Sequence, residues 1–129
     1  HGRRLIRHAC PALVEAAEAK LRGETVDPAV FAAAAAGLRG QQGGEAIDTV
    51  VLACTHFPLV EDELRAALGD SVRFVDGAEG IARRIAFLTQ GQAFLRTSPD
   101  VAVVTGDLAR AAPLAAALKT YGLERLERL

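Results

Sequence analysis

The sequence predicts an α/β protein in which a parallel sheet is flanked by helices. Short runs of β-branched, apolar residues alternate with longer stretches of helical periodicity, as in proteins built from successive βα units. One run, residues 47–53, is nearly all apolar, which is typical of a strand buried on both faces. The chain has 129 residues, 50% of them hydrophobic, which is enough for one domain with a sizeable core.

Two helices are predicted before this strand. Apolar side chains recur at intervals of four over residues 11–21, which indicates one buried helical stripe. Asp27 is a good N-cap and Pro28 suits a first helical turn, so a second helix is expected from here through the alanine tract to the glycines at 37–40. A polar, glycine-containing connection then leads to the strand.

The alternation continues after the strand. A helix opened by Pro58 repeats apolar residues every four positions and is expected to end at Gly69. Further expected elements are a strand over 72–75, a helix over 78–88, a loop over 91–100, a strand over 101–104, a helix over 108–121 and a short edge strand over 123–129. Pro113 should kink the 108–121 helix or mark its true start.

The composition argues against several classes of function. A formal net charge of −1 gives no electrostatic footprint for nucleic acid. The alanine tract is far shorter than the ~20 apolar residues of a membrane span, and the start of the chain resembles no signal peptide. Two cysteines are too few for a disulfide framework and suit reduced thiols in the cytosol. The chain has no methionine, which indicates either processing or a piece of a longer protein.

The apolar run is followed by a thiol, a hydroxyl and an imidazole: Cys54, Thr55 and His56. In α/β proteins the carboxyl end of a strand and the next helix N-terminus face one crevice, where reactive groups collect. A helix N-terminus and a neighbouring imidazolium both favour the thiolate form of a cysteine. Thr55 and free backbone N–H groups suit a carboxylate. The segment therefore predicts a proton-transfer site for a small anionic molecule.

Two other interpretations of Cys54 are open from the residues alone. A cysteine at a strand end is commonly an inert core residue. A zinc site would need Cys54 and His56 to be joined by His8 and Cys10, and these spacings match no usual zinc signature, so no metal is expected.

Residues 52–60, Leu-Ala-Cys-Thr-His-Phe-Pro-Leu-Val, resemble the second catalytic-cysteine motif of the glutamate racemases, usually Gly-Cys-Thr-His-Tyr-Pro-Leu. Phe57 replaces the usual tyrosine and removes one hydroxyl. Further segments resemble the family in the same order: Ala-Cys-Pro-Ala-Leu-Val at 9–14 with the following Glu18, Phe-Val-Asp at 74–76 with the helix through 81–82, and Val-Thr-Gly-Asp at 104–107.

The resemblance implies cofactor-independent racemisation of L-glutamate to D-glutamate, which supplies peptidoglycan synthesis for the cell wall in the bacterial cytoplasm. In this family one cysteine thiolate removes the α-proton and a second cysteine protonates the opposite face. The resemblance makes Cys54 one of these groups, with Thr55 binding the substrate and His56 tuning Cys54 or its protonation. Glu18 is expected to support them as an outer partner.

The family's amino-terminal Asp-Ser-Gly segment and the Cys-Asn-Thr-Ala segment with its first catalytic cysteine have no counterpart in this sequence. Cys10 matches a cysteine that is not catalytic in the family, and a packing role is expected for it. The chain thus resembles the carboxyl-terminal part of a two-lobed racemase. Residues 1–90 are expected to form most of the second lobe, and residues 91–129 a returning β-α-β segment that completes the first lobe.

Such a segment would expose unpaired strand edges and apolar surface. The expected partners are glutamate, a complementing amino-terminal lobe and a second copy of the chain. Two alternatives remain at this point: a non-catalytic α/β fragment or ligand-binding module with a structural Cys54, and a one-cysteine relative that performs decarboxylation or isomerisation.

Overall fold

The computed structural model describes residues 3–95 and 97–129. Its strands are β1 (Thr49–Val51), β2 (Arg73–Val75), β3 (Asp100–Val104) and β4 (Leu123–Arg128). Its α-helices are α1 (Pro11–Leu21), α2 (Ala29–Arg39), α3 (Glu61–Leu68), α4 (Ala78–Leu88), α5 (Leu108–Ala111) and α6 (Ala115–Thr120). Short 3₁₀ turns cover Gly44–Ala46, Phe57–Val60 and Ala112–Leu114.

The strands form two separate parallel pairs. β1 pairs with β2, with Val50 opposite Phe74, and β3 pairs with β4, with Ala102 opposite Leu126. A helical segment lies between the two strands of each pair, as a parallel connection requires. The predicted α/β class is therefore confirmed.

The core lies where the first three helices pack around β1. In the described part of the chain, every fully buried apolar side chain falls between residues 13 and 72. The main cluster consists of Leu13, Ala16, Ala17, Phe31, Ala34, Leu52, Val60 and Leu64. Small residues on α1 let the 3₁₀ turn at Phe57–Val60 approach the helix closely, and this approach brings α1 next to the residues that follow β1.

The predicted helices over 11–21 and 78–88 are confirmed at both ends. The second helix begins one residue later than expected, at Ala29, and its backbone N–H donates to Asp27 Oδ1 at 2.9 Å. Pro113 interrupts the helix predicted over 108–121, because its ring removes a backbone donor there. None of the helices in the described residues has the length and apolarity that a membrane span requires.

Two expectations about the central strand and the helix after it were wrong. The strand is shorter than residues 47–53 and is not buried on both faces, since Val51 remains 64% exposed in a sheet of only two strands. The α-helix does not begin at Pro58 but at Glu61, after the 3₁₀ turn. Its predicted apolar stripe, with Leu64 and Leu68, is nevertheless buried, and it ends at Gly69, whose φ is +93°.

Candidate active site

The site residues lie in a tight turn between β1 and the 3₁₀ turn at Phe57–Val60. Leu52 N–H donates to Val75 O at 2.8 Å, so the pairing of β1 with β2 continues one residue past the strand. The chain then turns, and Phe57 N–H donates to Cys54 O at 3.2 Å. These hydrogen bonds fix the backbone on both sides of Cys54, Thr55 and His56.

Cys54 and His56 face each other across this turn. Cys54 Sγ lies 3.9 Å from His56 Nδ1, and both side chains are half-buried. A sulfur–nitrogen contact of this length is a weak hydrogen bond, and hydrogen bonds of this kind commonly shorten when a ligand binds. The imidazole is therefore placed to exchange a proton with the thiol.

The other nitrogen of the His56 ring points to a carboxylate. His56 Nε2 lies 3.3 Å from Glu18 Oε1, on α1. An ionised carboxylate can only accept a hydrogen bond, so this contact places a hydrogen on Nε2 and leaves the Nδ1 lone pair of a neutral ring facing Cys54. A carboxylate in this position would stabilise an imidazolium if the ring gained a second proton.

An arginine continues the line of polar groups beyond Glu18. Arg22 Nη1 lies 3.8 Å from Glu18 Oε2, while its Nε donates to Glu24 Oε1 at 2.7 Å. The side-chain hydrogen bond between Arg22 and Glu24 raises the pKa of Arg22 and lowers the pKa of Glu24. The guanidinium is thus engaged mainly by Glu24, which leaves one oxygen of Glu18 directed at His56.

The structure brings together three of the four predicted site residues: Cys54, His56 and Glu18. Thr55 follows Cys54 directly, but its side chain is exposed, and within residues 3–95 and 97–129 it has no side-chain hydrogen bond. Its proposed contact is with a substrate and stays a prediction. Cys10 is half-buried and packs against the core at the start of α1, as predicted.

The helix that was expected to favour the thiolate of Cys54 begins as the 3₁₀ turn at Phe57–Val60, and its effect on the thiol stays a prediction. The α-helix begins only at Glu61, and its first turn carries the carboxylates of Glu61, Asp62 and Glu63, which occupy the position where a helix attracts an anion. The contact that the structure does show at the thiol is the one with His56 Nδ1.

Sequence reasoning missed Arg22 and Lys20. Glu18 and Arg22 stand at i and i+4 on one helix, a spacing that could have indicated their ion pair. Lys20 reaches across to the turn after His56, and no local pattern indicates this contact. In the described part of the chain, no three His, Cys, Asp or Glu side chains come close enough to hold a metal ion.

The fold and the site together define an α/β protein in which a parallel strand leads into a thiol–imidazole–carboxylate arrangement. No protein-family model matches the chain. The chain is 57% identical to the glutamate racemase of Sphingopyxis alaskensis over 127 residues, which are 98% of this chain and 47% of that protein. It is 42% identical to the glutamate racemase of Pectobacterium carotovorum over 120 residues, covering 91% of this chain and 41% of the relative.

Solved structures show the same relationship. A structure of Escherichia coli glutamate racemase, in complex with L-glutamate and an activator, matches with a TM-score of 0.81 and 37% identity over 92% of this chain and 45% of that one. A glutamate racemase isoform from Bacillus anthracis matches with a TM-score of 0.65 and 26% identity, over 92% of this chain and 44% of the other.

Nearly the whole chain is therefore homologous to the glutamate racemases, which are isomerases. It spans less than half the length of the relatives that it matches, as a carboxyl-terminal part of such an enzyme would.

Proposed function

We propose that this chain is part of a cofactor-independent glutamate racemase and that Cys54 is one of its two proton-transferring groups. The observation that carries the proposal is the continuous contact from Cys54 Sγ to His56 Nδ1 at 3.9 Å and from His56 Nε2 to Glu18 Oε1 at 3.3 Å. The similarity to glutamate racemases supports glutamate as the substrate, since the Escherichia coli structure holds L-glutamate.

The proposed reaction moves one proton off the α-carbon and another onto its opposite face. A thiolate takes the α-proton, so that an S–H bond forms as the C–H bond breaks and the electron pair delocalises into the α-carboxylate. A second thiol then donates its proton from the other side. Because the α-proton is weakly acidic, the carbanion has to be stabilised by fixed polar groups rather than by mobile water.

Each residue has a distinct proposed role. Cys54 exchanges the proton with substrate on one face. His56 takes or returns the Cys54 proton through Nδ1, and Glu18 stabilises the charged ring from the Nε2 side. Thr55 binds a substrate carboxylate through its exposed hydroxyl.

The second base and the rest of the active site are proposed to come from a polypeptide that corresponds to the unmatched part of the relatives. We propose that residues 1–90 belong to one lobe, and that residues 91–129 return to complete the other. The exposed apolar face of α4, with Ile81 62% and Ile85 56% exposed, supports the idea that further polypeptide covers this surface. The completed enzyme would supply D-glutamate to peptidoglycan synthesis in the cytoplasm.

A fusion tests this proposal. The amino-terminal part of the Sphingopyxis alaskensis racemase, which this chain does not match, is joined to it, and racemisation of L-glutamate is followed by circular dichroism. We expect activity in the fusion, and a loss of about 10²-fold or more in kcat with Cys54→Ala, the range of general acid–base catalysis. Cys10→Ala is the matched control and should retain activity.

The opposite result would be a folded, active fusion in which Cys54→Ala matches the parent, and it would remove Cys54 from the chemistry. A folded fusion without activity in any variant would instead favour a non-catalytic α/β module with a structural Cys54. The same outcome would exclude the idea that this chain needs only the missing amino-terminal part to become active.

A further inference from the structure

Lys20 forms two contacts with the segment that follows His56. Its Nζ donates to the backbone carbonyl of Leu59 at 3.1 Å and lies 2.7 Å from Glu63 Oε1. The Lys20 side chain is 43% exposed and that of Glu63 is 32% exposed, so the pair is partly shielded from water. One lysine thus joins α1 to both the 3₁₀ turn and the first turn of α3.

The residues that make these contacts are close in the sequence to Glu18 and His56, which face each other in the site. Lys20 follows Glu18 by two residues on α1, and Leu59 follows His56 by three residues in the turn. Leu59 N–H donates to His56 O at 3.1 Å, which makes the backbone from His56 to Leu59 one hydrogen-bonded unit. The same two segments are therefore joined twice, once by Glu18 with His56 and once by Lys20 with Leu59.

The contact with Glu63 requires a positively charged side chain at position 20. Glu63 Oε2 is buried and has no hydrogen-bond partner within the described residues, while Oε1 is held by Lys20. Without the ammonium group the carboxylate would lose its counter-charge and would move towards water, drawing the start of α3 away from α1. Leu13, Ala17 and Val60 remain packed between the two segments in either case, so the chain should stay folded.

We propose that Lys20 is a positioning residue, which holds the turn carrying His56 at the distance from α1 that lets Glu18 reach the imidazole. This inference rests on the proposed function, because it matters only where His56 controls the reactivity of Cys54. Lys20 itself takes no part in proton transfer.

Alkylation of Cys54 by iodoacetamide tests the inference in the chain itself. The rate is read from the Cys54 peptide by mass spectrometry, and the Cys10 peptide in the same digest serves as an internal reference. We expect Lys20→Met to slow alkylation of Cys54 by roughly twofold to fivefold, the range that a partly exposed ion pair can contribute. Lys20→Arg should restore most of the rate because it keeps the cation.

Lys119→Met makes the same substitution on α6 and is the matched control, with no change expected. A merely structural role of Lys20 gives the opposite sign, because a loosened fold exposes both thiols and speeds alkylation of Cys54 and Cys10 together. Faster alkylation of both, or an unchanged Cys54 rate in Lys20→Met, would overturn the inference.

His56→Gln separates this inference from the proposed function. If His56→Gln slows alkylation of Cys54 while Lys20→Met does not, the thiol–imidazole pair stands and the positioning role fails. If His56→Gln also leaves the rate unchanged, the imidazole does not control the thiol, and both the role proposed for His56 and the positioning role of Lys20 fail.

Discussion

His56 Nε2 lies 3.3 Å from Glu18 Oε1, although the two residues belong to different elements of the fold. Glu18 is on α1, whereas His56 lies in the turn between β1 and α3. The contact exists because α1 packs its small residues against the 3₁₀ turn that follows His56. The packing of the core therefore determines which carboxylate supports the imidazole.

Glu18→Gln should reduce the reactivity of Cys54. The amide keeps the shape of the carboxylate but carries no charge, so it stabilises an imidazolium less well. We expect alkylation of Cys54 at neutral pH to slow by about threefold, within the range of a partly exposed charge pair. Glu15→Gln is the matched control, because it makes the same change at an exposed glutamate of α1 that lies outside the line from Cys54 to Arg22, and it should leave the rate unaltered. Equal effects of the two variants would contradict a specific role for Glu18.

The titration of Glu24 should depend on Arg22. The hydrogen bond from Arg22 lowers the pKa of Glu24 below its ordinary value of 4.5. A lowered pKa in the folded state adds stability above the unfolded-state pKa, and this contribution is lost as the pH falls through the folded-state value. Carbon-13 NMR of the side-chain carboxyl should show the Glu24 midpoint rising in Arg22→Gln. Arg110→Gln, on α5, should leave the Glu24 midpoint unchanged. A shift of equal size in Arg110→Gln would show that the hydrogen bond from Arg22 is not what lowers the pKa of Glu24.

Gly44→Ala should destabilise the connection before β1. A Cβ on Gly44 would lie 2.4 Å from Leu38 O and 2.5 Å from Arg39 O, so the backbone would have to move. We expect the free energy of unfolding to fall by about 2 kcal/mol, typical of overpacking at a close approach. Urea denaturation measures this change.

The matched control for Gly44 is Gly80→Ala. Gly80 lies inside α4, and a Cβ there meets nothing within 4 Å. Its replacement should stabilise the chain by about 0.5–1 kcal/mol through helix propensity. A similar loss of unfolding free energy in Gly44→Ala and Gly80→Ala would show that the short contacts around Gly44 do not cause its destabilisation.

The exposed face of α4 should make the isolated chain associate. Ile81, Ile85, Phe87 and Leu88 are each more than half exposed along this helix. Size-exclusion chromatography at rising protein concentration should show larger species, and Ile81→Lys should reduce them by interrupting the apolar surface. Arg83→Lys, on the same helix, retains its charge and should leave association unchanged. A chain that stays monomeric at every concentration would argue that this face needs no cover.

Local signals in the sequence were sufficient for the α/β class and for most helices. The bounds of α1 and α4 follow from apolar periodicity and from helix-breaking residues at their ends, which are properties of neighbouring residues. The burial of β1 could not be read in this way, because it depends on how many strands and helices cover the sheet, and Val51 is exposed in a two-stranded sheet. Composition indicates an apolar strand but not its neighbours.

The part of the site that is formed by adjacent residues could be predicted, whereas the part that depends on tertiary packing could not. Cys54, Thr55 and His56 are adjacent in the sequence, and Glu18 was expected from a family resemblance rather than from spacing. The contacts of Glu18 and Lys20 with the turn after β1 depend on the packing of α1, which no short motif encodes.

The α-proton of glutamate reports directly on the role of Cys54. We would follow this proton by NMR in deuterated buffer, separately for L- and D-glutamate, in the fusion with the amino-terminal part of the Sphingopyxis alaskensis racemase. The parent and Cys10→Ala should place deuterium in the inverted product from either enantiomer. Cys54→Ala should stop inversion, while the remaining thiol still exchanges the α-proton of one enantiomer with retention. Inversion that persists in Cys54→Ala, or exchange of both enantiomers there, would contradict the assignment of Cys54 to one face of the substrate.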